Sequence, residues 1–341
     1  MELLSAYSFI NNVLKTKYPW LKGTVDKYYF SHIADYIHDA YIAFLCGRSG
    51  RPRFKSKTRP IRSVTTNNSS GSSFKLDEEN GTLALPYLRG EHKLKIFYHR
   101  KIQGRIVGAK IIRHACGDYY VSLYCECDRS PLPKTGRAVG LDAGFKTLIS
   151  CSNGKEYPPL KALRKYERKL SRLQRSMTRK YKMAKIKAPD QEYKKSKNFL
   201  KIKAQYARLH ERVRCMRSDY AHKISTELIR SYDTIVSEDL CLAGMKKSRR
   251  FSKSVSDAGI CHLYRMLAYK GDWYGRTYIK VGRFFPSSQT CPQCGYQNHD
   301  LKDLKIRIWT CPQCAAVNAR DISAAKSILK EGLRMLEEAA P

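Results

Sequence analysis

Four cysteines pair as Cys291-Pro292-Gln293-Cys294 and Cys311-Pro312-Gln313-Cys314, with sixteen residues between the pairs. Each Cys-x-x-Cys turn can offer two thiolates to one ion, and the linker is long enough to bring the second turn opposite the first. This is the spacing of a zinc ribbon, so Cys291, Cys294, Cys311 and Cys314 are expected to hold one structural Zn2+ in a tetrahedron. Lys305–Thr310 alternates like a strand leading into the second turn. Three carboxylates could do a different chemistry. Asp142 closes the short apolar run Val139-Gly140-Leu141, and Glu238 closes Ile235-Val236-Ser237. Asp321 opens a stretch with Ile322, Ala325 and Leu329 on one helical face. Singly, an Asp near a glycine turn or at a helix start is commonplace. Converging, three carboxylates can hold two divalent metals about 3.5–4 Å apart, one activating water and the other stabilising a leaving 3′ oxygen. Such hard oxygen ligands suit Mg2+ or Mn2+.

The elements that must position these acids follow a definite order. Arg137–Ser150 reads as strand, glycine turn and strand. Thr234–Leu240 is a short buried strand, Ser256–Trp273 a helix capped by Ser256 and Asp257, Thr277–Arg283 a strand, and Asn318–Leu329 a helix. Between the second and third strands comes a helical excursion, residues 161–224. One arm carries Leu163, Tyr166, Leu170, Leu173 and Met177; the other carries Phe199, Ile202, Tyr206, Leu209, Val213, Met216 and Tyr220. The break falls at Lys187–Asp190, which predicts an antiparallel hairpin with a thin apolar seam. Strand, strand, helical insertion, strand, helix, strand, helix is the order of an RNase H-like α/β core, in which the central strand ends and one helix meet at one edge.

Ahead of this core, residues 1–46 carry helical periodicity at Leu3, Tyr7, Ile10 and Leu14, then at Ile33, Ile37, Ala40 and Phe44, broken at Tyr18–Leu21. Residues 47–73 read as a polar connector. Residues 74–130 read as short strands of a small β-barrel: Leu94, Ile96 and Tyr98 alternate with polar neighbours, as do Ile106–Arg113 and Tyr119–Cys127.

The 341 residues include 65 Lys and Arg against 30 Asp and Glu, a net charge of +35. That charge repels itself unless a polyanion shares the surface; nucleic acid is the obvious candidate and an acidic membrane surface the rival. Roughly twenty-one basic residues fall between Lys161 and Arg217 against four acids; such a run reads either as a solvated face or, being this lopsided, as a surface that lies along a phosphate backbone. Arg164, Lys165, Arg168, Arg172 and Arg175 are the candidate contacts there. Arg51, Arg53, Lys55 and Lys57 surround Phe54 and read either as a solvated loop or as a grip on backbone and base together. No stretch approaches the roughly 18 apolar residues of a membrane span. Met1–Ser5 has neither the basic nor the apolar region of a signal peptide, so a cytoplasmic, reducing setting is expected. No membrane and no small-molecule substrate are expected as partners. The remaining cysteines, Cys46, Cys116, Cys125, Cys127, Cys151, Cys215, Cys241 and Cys261, read as small buried hydrophobes.

Six stretches carry a resemblance: Arg51–Lys57, Gly140–Gly144, Val236–Leu240, Asp272–Arg276, Phe285–Cys291 and Arg320–Ala325. Through them the chain resembles, from Tyr18 to Leu329, the TnpB proteins of small insertion sequences, which are RuvC-type relatives of type V CRISPR effectors. The resemblance implies an RNA-guided DNA endonuclease of a prokaryotic or phage element, nucleoid-associated. Its guide RNA would come from the element's own end, and it would cut double-stranded target DNA beside a short adjacent motif. It makes Asp142, Glu238 and Asp321 the metal-binding triad. The implied fold class is α/β multidomain. An RNase H-like (RuvC) core carries the inserted basic hairpin and the zinc ribbon, behind a β-barrel wedge domain with a helical recognition segment. The layout is residues 1–50 for the recognition segment and 51–133 for the barrel. The nuclease core takes 134–285 with its hairpin at 161–224, the ribbon 286–317, and the final segment 318–341. In the family the Tyr-Pro-Trp-Leu segment follows an opening strand and a first helix; here it begins at Tyr18, implying a barrel without its opening strand. Ala315-Ala316 stand where a glycine is usual. Two other readings share these features: a cleavage-deficient TnpB-like remnant or regulator that binds nucleic acid, and a transposase acting on element ends.

Overall fold

The computed structural model describes residues 8–22, 26–56, 62–68, 74–85, 93–144, 146–187, 196–240, 257, 259–301, 303 and 306–339. The chain divides into two compact units, Met1–Asp128 and Arg129–Pro341. In the first, a short helical stretch, Phe9–Leu14 continuing as Lys15–Lys17, precedes α1 (Lys27–Leu45). Asp26 caps α1 by accepting the Tyr28 N–H at 3.1 Å. Leu3 and Tyr7 lie outside the described residues. The predicted stripe of α1 is not its buried face: Ile37 and Phe44 are exposed and Ala34 is buried instead.

Six strands follow: β1 (Ser63–Asn67), β2 (Lys75–Asp77), β3 (Thr82–Ala84), β4 (Leu94–Lys95), β5 (Arg105–Arg113) and β6 (Tyr119–Glu126). They form two three-stranded sheets, in the orders β1-β5-β6 and β2-β3-β4. The sheets share a core of Phe74, Leu83 and Ala109. Among the described residues these strands do not close into the expected barrel. β1 also corrects the reading of 47–73 as a connector, because Ser63–Asn67 pairs antiparallel along β5. Its polarity hid it. Thr65 and Thr66 are buried, and α1 satisfies their hydroxyls: Tyr36 OH lies 3.0 Å from Thr65 Oγ1, and Thr66 Oγ1 donates to Asp26 Oδ2.

The second unit is built on a five-stranded sheet. β7 (Ala138–Ala143), β8 (Ile149–Cys151) and β9 (Glu156–Tyr157) form an antiparallel meander. β10 (Thr234–Glu238) runs parallel to β7, and β11 (Thr277–Val281) runs parallel to β10, giving the order β11-β10-β7-β8-β9. Between β9 and β10 lie α2 (Ala162–Lys187) and α3 (Lys197–Ser231), joined at Leu170, Leu173 and Leu209 as the periodicity predicts. α4 (Ile260–Tyr274) precedes β11; the hairpin β12 (Ile308–Thr310) and β13 (Val317–Ala319) precedes α5 (Arg320–Ala339). Alternation along the strands sorts the sheet's two faces. Val139, Leu141 and Ile235 pack with Ile224, Leu228, Leu263 and Leu267 of α3 and α4. Val236 and Val281 pack with Ile328 of α5.

Gly140 marks the crossing of α5 over β7. A Cβ there would lie 2.0 Å from the Ala325 carbonyl oxygen and 2.8 Å from the Leu329 nitrogen. Gly140→Ala is therefore expected to push α5 off the sheet. Overpacking of this kind costs about 1–3 kcal/mol or more, read as a lower midpoint in chemical denaturation.

Ser256 lies outside the described residues, and Asp257 does not cap α4 as predicted. It accepts the Leu163 N–H at 2.9 Å and the Arg217 Nη2 at 2.7 Å, capping α2 from across the unit. Of the eight remaining cysteines, Cys116 and Cys151 are buried and Cys125 and Cys127 half-buried. Cys46, Cys215 and Cys261 are exposed on helix ends or outer faces, contrary to expectation, and Cys241 lies outside the described residues. No helix among the described residues is long and apolar enough to cross a membrane.

Candidate functional site

β7 and β10 lie side by side, with Leu141 opposite Ser237. The next positions on each strand, Asp142 and Glu238, are therefore neighbours at one sheet edge, on the face that α5 covers. Asp321 enters from the first turn of α5. The electrostatics register this meeting. The Asp142 carboxyl is pushed up to about 8, first by burial and then by the charges of Glu238 and Asp321, with Arg320 pulling the other way. Burial also raises Glu238, against the pull of a hydrogen bond from Ser287 Oγ to its Oε1. Arg307 Nη1 approaches both oxygens of Asp321, at 3.2 and 3.4 Å. Arg320 is buried and donates to the carbonyls of Asp303 at 2.6 Å and Leu301 at 3.1 Å, which ties the start of α5 to the loop ahead of β12. The partners Ser287 and Arg307 escaped the sequence reading. Ser287 sat inside the Phe285–Cys291 stretch, and Arg307 inside the strand-like run to Thr310, neither with a spacing signal of its own.

The four cysteine sulfurs all lie within 4.8 Å of one another. Cys291 and Cys314 are 3.7 Å apart, and Cys294 and Cys311 3.6 Å. A tetrahedron of thiolates about 2.3 Å from a metal has edges of about 3.8 Å, so the donors fit one ion of that kind. Asn318 Nδ2 stands 3.8 Å from the Cys291 sulfur and steadies it. Among the described residues the three carboxylates do not draw together to the same spacing.

The two cysteine turns are copies of each other. Gly295 and Ala315 donate their N–H groups to the carbonyls of Cys291 and Cys311, each at 2.9 Å, and Tyr296 and Ala316 accept from those cysteines at 2.9 Å. This geometry needs a left-handed residue after each pair: Gly295 has φ 81° and Ala315 φ 56°. The alanine is strained there. Ala315→Gly is expected to stabilise the metal-loaded ribbon by about 0.5–1 kcal/mol, read as greater resistance to denaturant and slower metal release.

On α2, Arg164, Arg168, Arg172 and Arg175 recur every three or four residues and are exposed, as is Lys165, while Leu170 and Leu173 are buried. In the first unit Arg51, Arg53 and Lys55 are exposed around a fully exposed Phe54; Lys57 lies outside the described residues.

The second unit thus combines an α/β core with acids at one sheet edge, a four-thiolate ribbon and a cationic helical hairpin. Residues 122–249 match the family model OrfB_IS605, described as "Probable transposase", and residues 262–328 match the Cas12f1-like TNB domain. A Streptomyces pristinaespiralis protein with the provisional name RNA-guided DNA endonuclease is 34% identical over 300 residues, spanning 87% of this chain and 69% of its own. InsQ of Escherichia coli, under the same provisional description, is 29% identical over 339 residues, covering 94% and 78%. A cryo-EM structure of a Cas12f1–sgRNA–target DNA complex superposes with a TM-score of 0.55 at 15% identity, over 96% of this chain and 75% of that one, a likeness of fold. The chain belongs to the TnpB family.

Proposed function

We propose that the chain is an RNA-guided, metal-dependent DNA endonuclease of a transposable element, hydrolysing phosphodiesters at a RuvC-like centre of Asp142, Glu238 and Asp321. The observation that carries this reading is the convergence of β7, β10 and α5, which brings three acids toward one edge, where burial first and then the charges of Glu238 and Asp321 hold the Asp142 carboxyl above its ordinary value. Bound Mg2+ or Mn2+ would activate water and stabilise the leaving 3′ oxygen. Asp142, Glu238 and Asp321 would hold that cation, with Asp142 in its carboxylate form. Ser287 orients the Glu238 carboxylate, and Arg307 offsets the charge of Asp321. Cys291, Cys294, Cys311 and Cys314 hold structural Zn2+. The five-stranded sheet is the RNase H-like core, and the first unit serves as wedge and recognition lobe. The arginines of α2, with Lys165, Arg51, Arg53, Lys55 and Lys57, contact phosphates of the guide RNA and the double-stranded target.

The test is co-expression with the RNA of the element's flank, purification, and challenge with a plasmid carrying a matched target. A discrete RNA should copurify, and cuts at matched sites should require Mg2+ and vanish in Asp142→Ala. Neither RNA nor cutting would sink the proposal. RNA without cutting would favour a regulator, and cutting without RNA an unguided transposase.

A further inference from the structure

Phe284 is 92% exposed on the turn that follows β11. A single exposed ring needs no explanation by itself. Its setting does, because the turn is anchored on both sides. Arg283 donates Nη2 and Nε to Asp239 Oδ2 at 2.7 and 3.1 Å. Phe285 is drawn into the core of Val236, Val281 and Ile328. Ser287 donates to Glu238. The backbone closes on itself as well: the Phe285 N–H reaches the Gly282 carbonyl at 3.0 Å, and the Ser287 N–H reaches the Phe285 carbonyl at 2.8 Å. Two of these anchors grip Glu238 and the residue after it. The turn therefore holds the Phe284 ring out to solvent next to the carboxylate centre, in a fixed frame.

The occupant follows from chemistry. The net charge of +35 selects a polyanion. The polyanion whose units also carry flat aromatic faces is nucleic acid, and an exposed ring on a rigid turn offers a stacking face with little ordering still to be done. We infer that Phe284 is a stacking post for a nucleobase of the DNA strand being cut, fixing that strand where its phosphodiester meets the acids. This rests on the nuclease reading above.

The test uses the RNA-loaded protein and duplex targets with 2-aminopurine placed in turn at each position around the mapped cut. An Asp142→Ala background keeps the strand whole. Stacking quenches 2-aminopurine, so emission should fall at one position when Phe284 is present. It should recover in Phe284→Ala and in Phe284→Leu, which keeps bulk but loses the ring, and stay quenched in Phe284→Tyr. With Asp142 restored, Phe284→Ala should raise KM for target DNA by about 5- to 100-fold, the worth of one stacked base, with bound RNA and zinc unchanged. Emission indifferent to Phe284→Ala at every position, or loss of RNA with quenching intact, would overturn the inference. If the protein with Asp142 cuts nothing, the nuclease reading fails instead, and the same 2-aminopurine scan, run along the whole matched target, still decides whether the ring stacks.

Discussion

Asp142→Asn is expected to lower cleavage of matched DNA by at least about 1,000-fold, because the proposed role of Asp142, a metal ligand that stabilises developing charge, is worth several kcal/mol in the transition state. The substitution should leave the fold alone. With its carboxyl pushed up to about 8, Asp142 in the metal-free chain carries a proton near neutral pH, and asparagine imitates that form. The same shift has a stability consequence with a definite sign. The unfolded chain ionises Asp142 near its ordinary value of 3.8, while the folded chain keeps the proton up to about 8. The folded state thus binds more protons between those values. This group's contribution to stability is complete below the lower value and is lost as pH rises toward the upper one. Protein without Mg2+ or Mn2+, its four-thiolate site kept loaded, should therefore lose stability as pH rises from about 4 to 8, and Asp142→Asn should lose less. Melts across that window, beside cleavage rates with Mg2+, check both halves. Equal slopes in the two proteins would mean that Asp142 is not the proton holder.

Cys311→Ser, or stripping the ion from the four thiolates, is expected to abolish cleavage while the sheet persists. The ribbon has little core besides its own ligands: Cys291 and Cys311 are buried with Leu301 and Trp309. Structural zinc in small domains supplies on the order of 10–16 kcal/mol of apparent binding energy, so the ribbon has nothing comparable to fall back on. The damage should travel to Asp321. Arg320 is held by the Leu301 and Asp303 carbonyls, and Ser327 Oγ donates to the Thr290 carbonyl at 3.0 Å, so the first turns of α5 lean on the ribbon and its approach. The core around Val139, Leu141 and Leu267 is separate. The expected result is the thiolate-bound metal lost, ribbon cut by protease, circular dichroism nearly unchanged and cleavage gone, with activity returning when the proposed zinc is restored after chelation. Full activity without the metal would break the proposed link between the ribbon and the third acid.

The elements around these two centres were legible because their signals are local. Leu141-Asp142 and Ser237-Glu238 end runs too short and too apolar to be anything but buried strands, and the paired cysteines fix their own spacing. The seam from Leu163 to Met177 announced α2. What stayed hidden depends on partners distant in the chain. β1 reads as polar because Thr65 and Thr66 are buried through hydroxyl bonds to Tyr36 and Asp26, which no periodicity encodes. Asp257 looks like a cap for the helix that follows it, yet serves α2 instead. The apolar stripe of α1 predicted a buried face at Ile37 and Phe44, and both are exposed. The short strands from 74 to 130 were legible singly. Whether they close into a barrel depends on pairings that alternation leaves open.

The helical hairpin has a consequence for how the molecule comes to be folded at all. The parallel pairing of Leu141 with Ser237 joins positions roughly 95 residues apart, a long loop to close and a slow kind of contact to make. α2 and α3 shorten that search. Helices form on the microsecond scale from local contacts, and the seam of Leu170, Leu173 and Leu209 folds the intervening chain back on itself. Once it has done so, the two strands that carry Asp142 and Glu238 start from the same open end of a compact staple instead of from a free coil. The hairpin is thus expected to act as a kinetic shortcut, and loosening its seam should slow refolding.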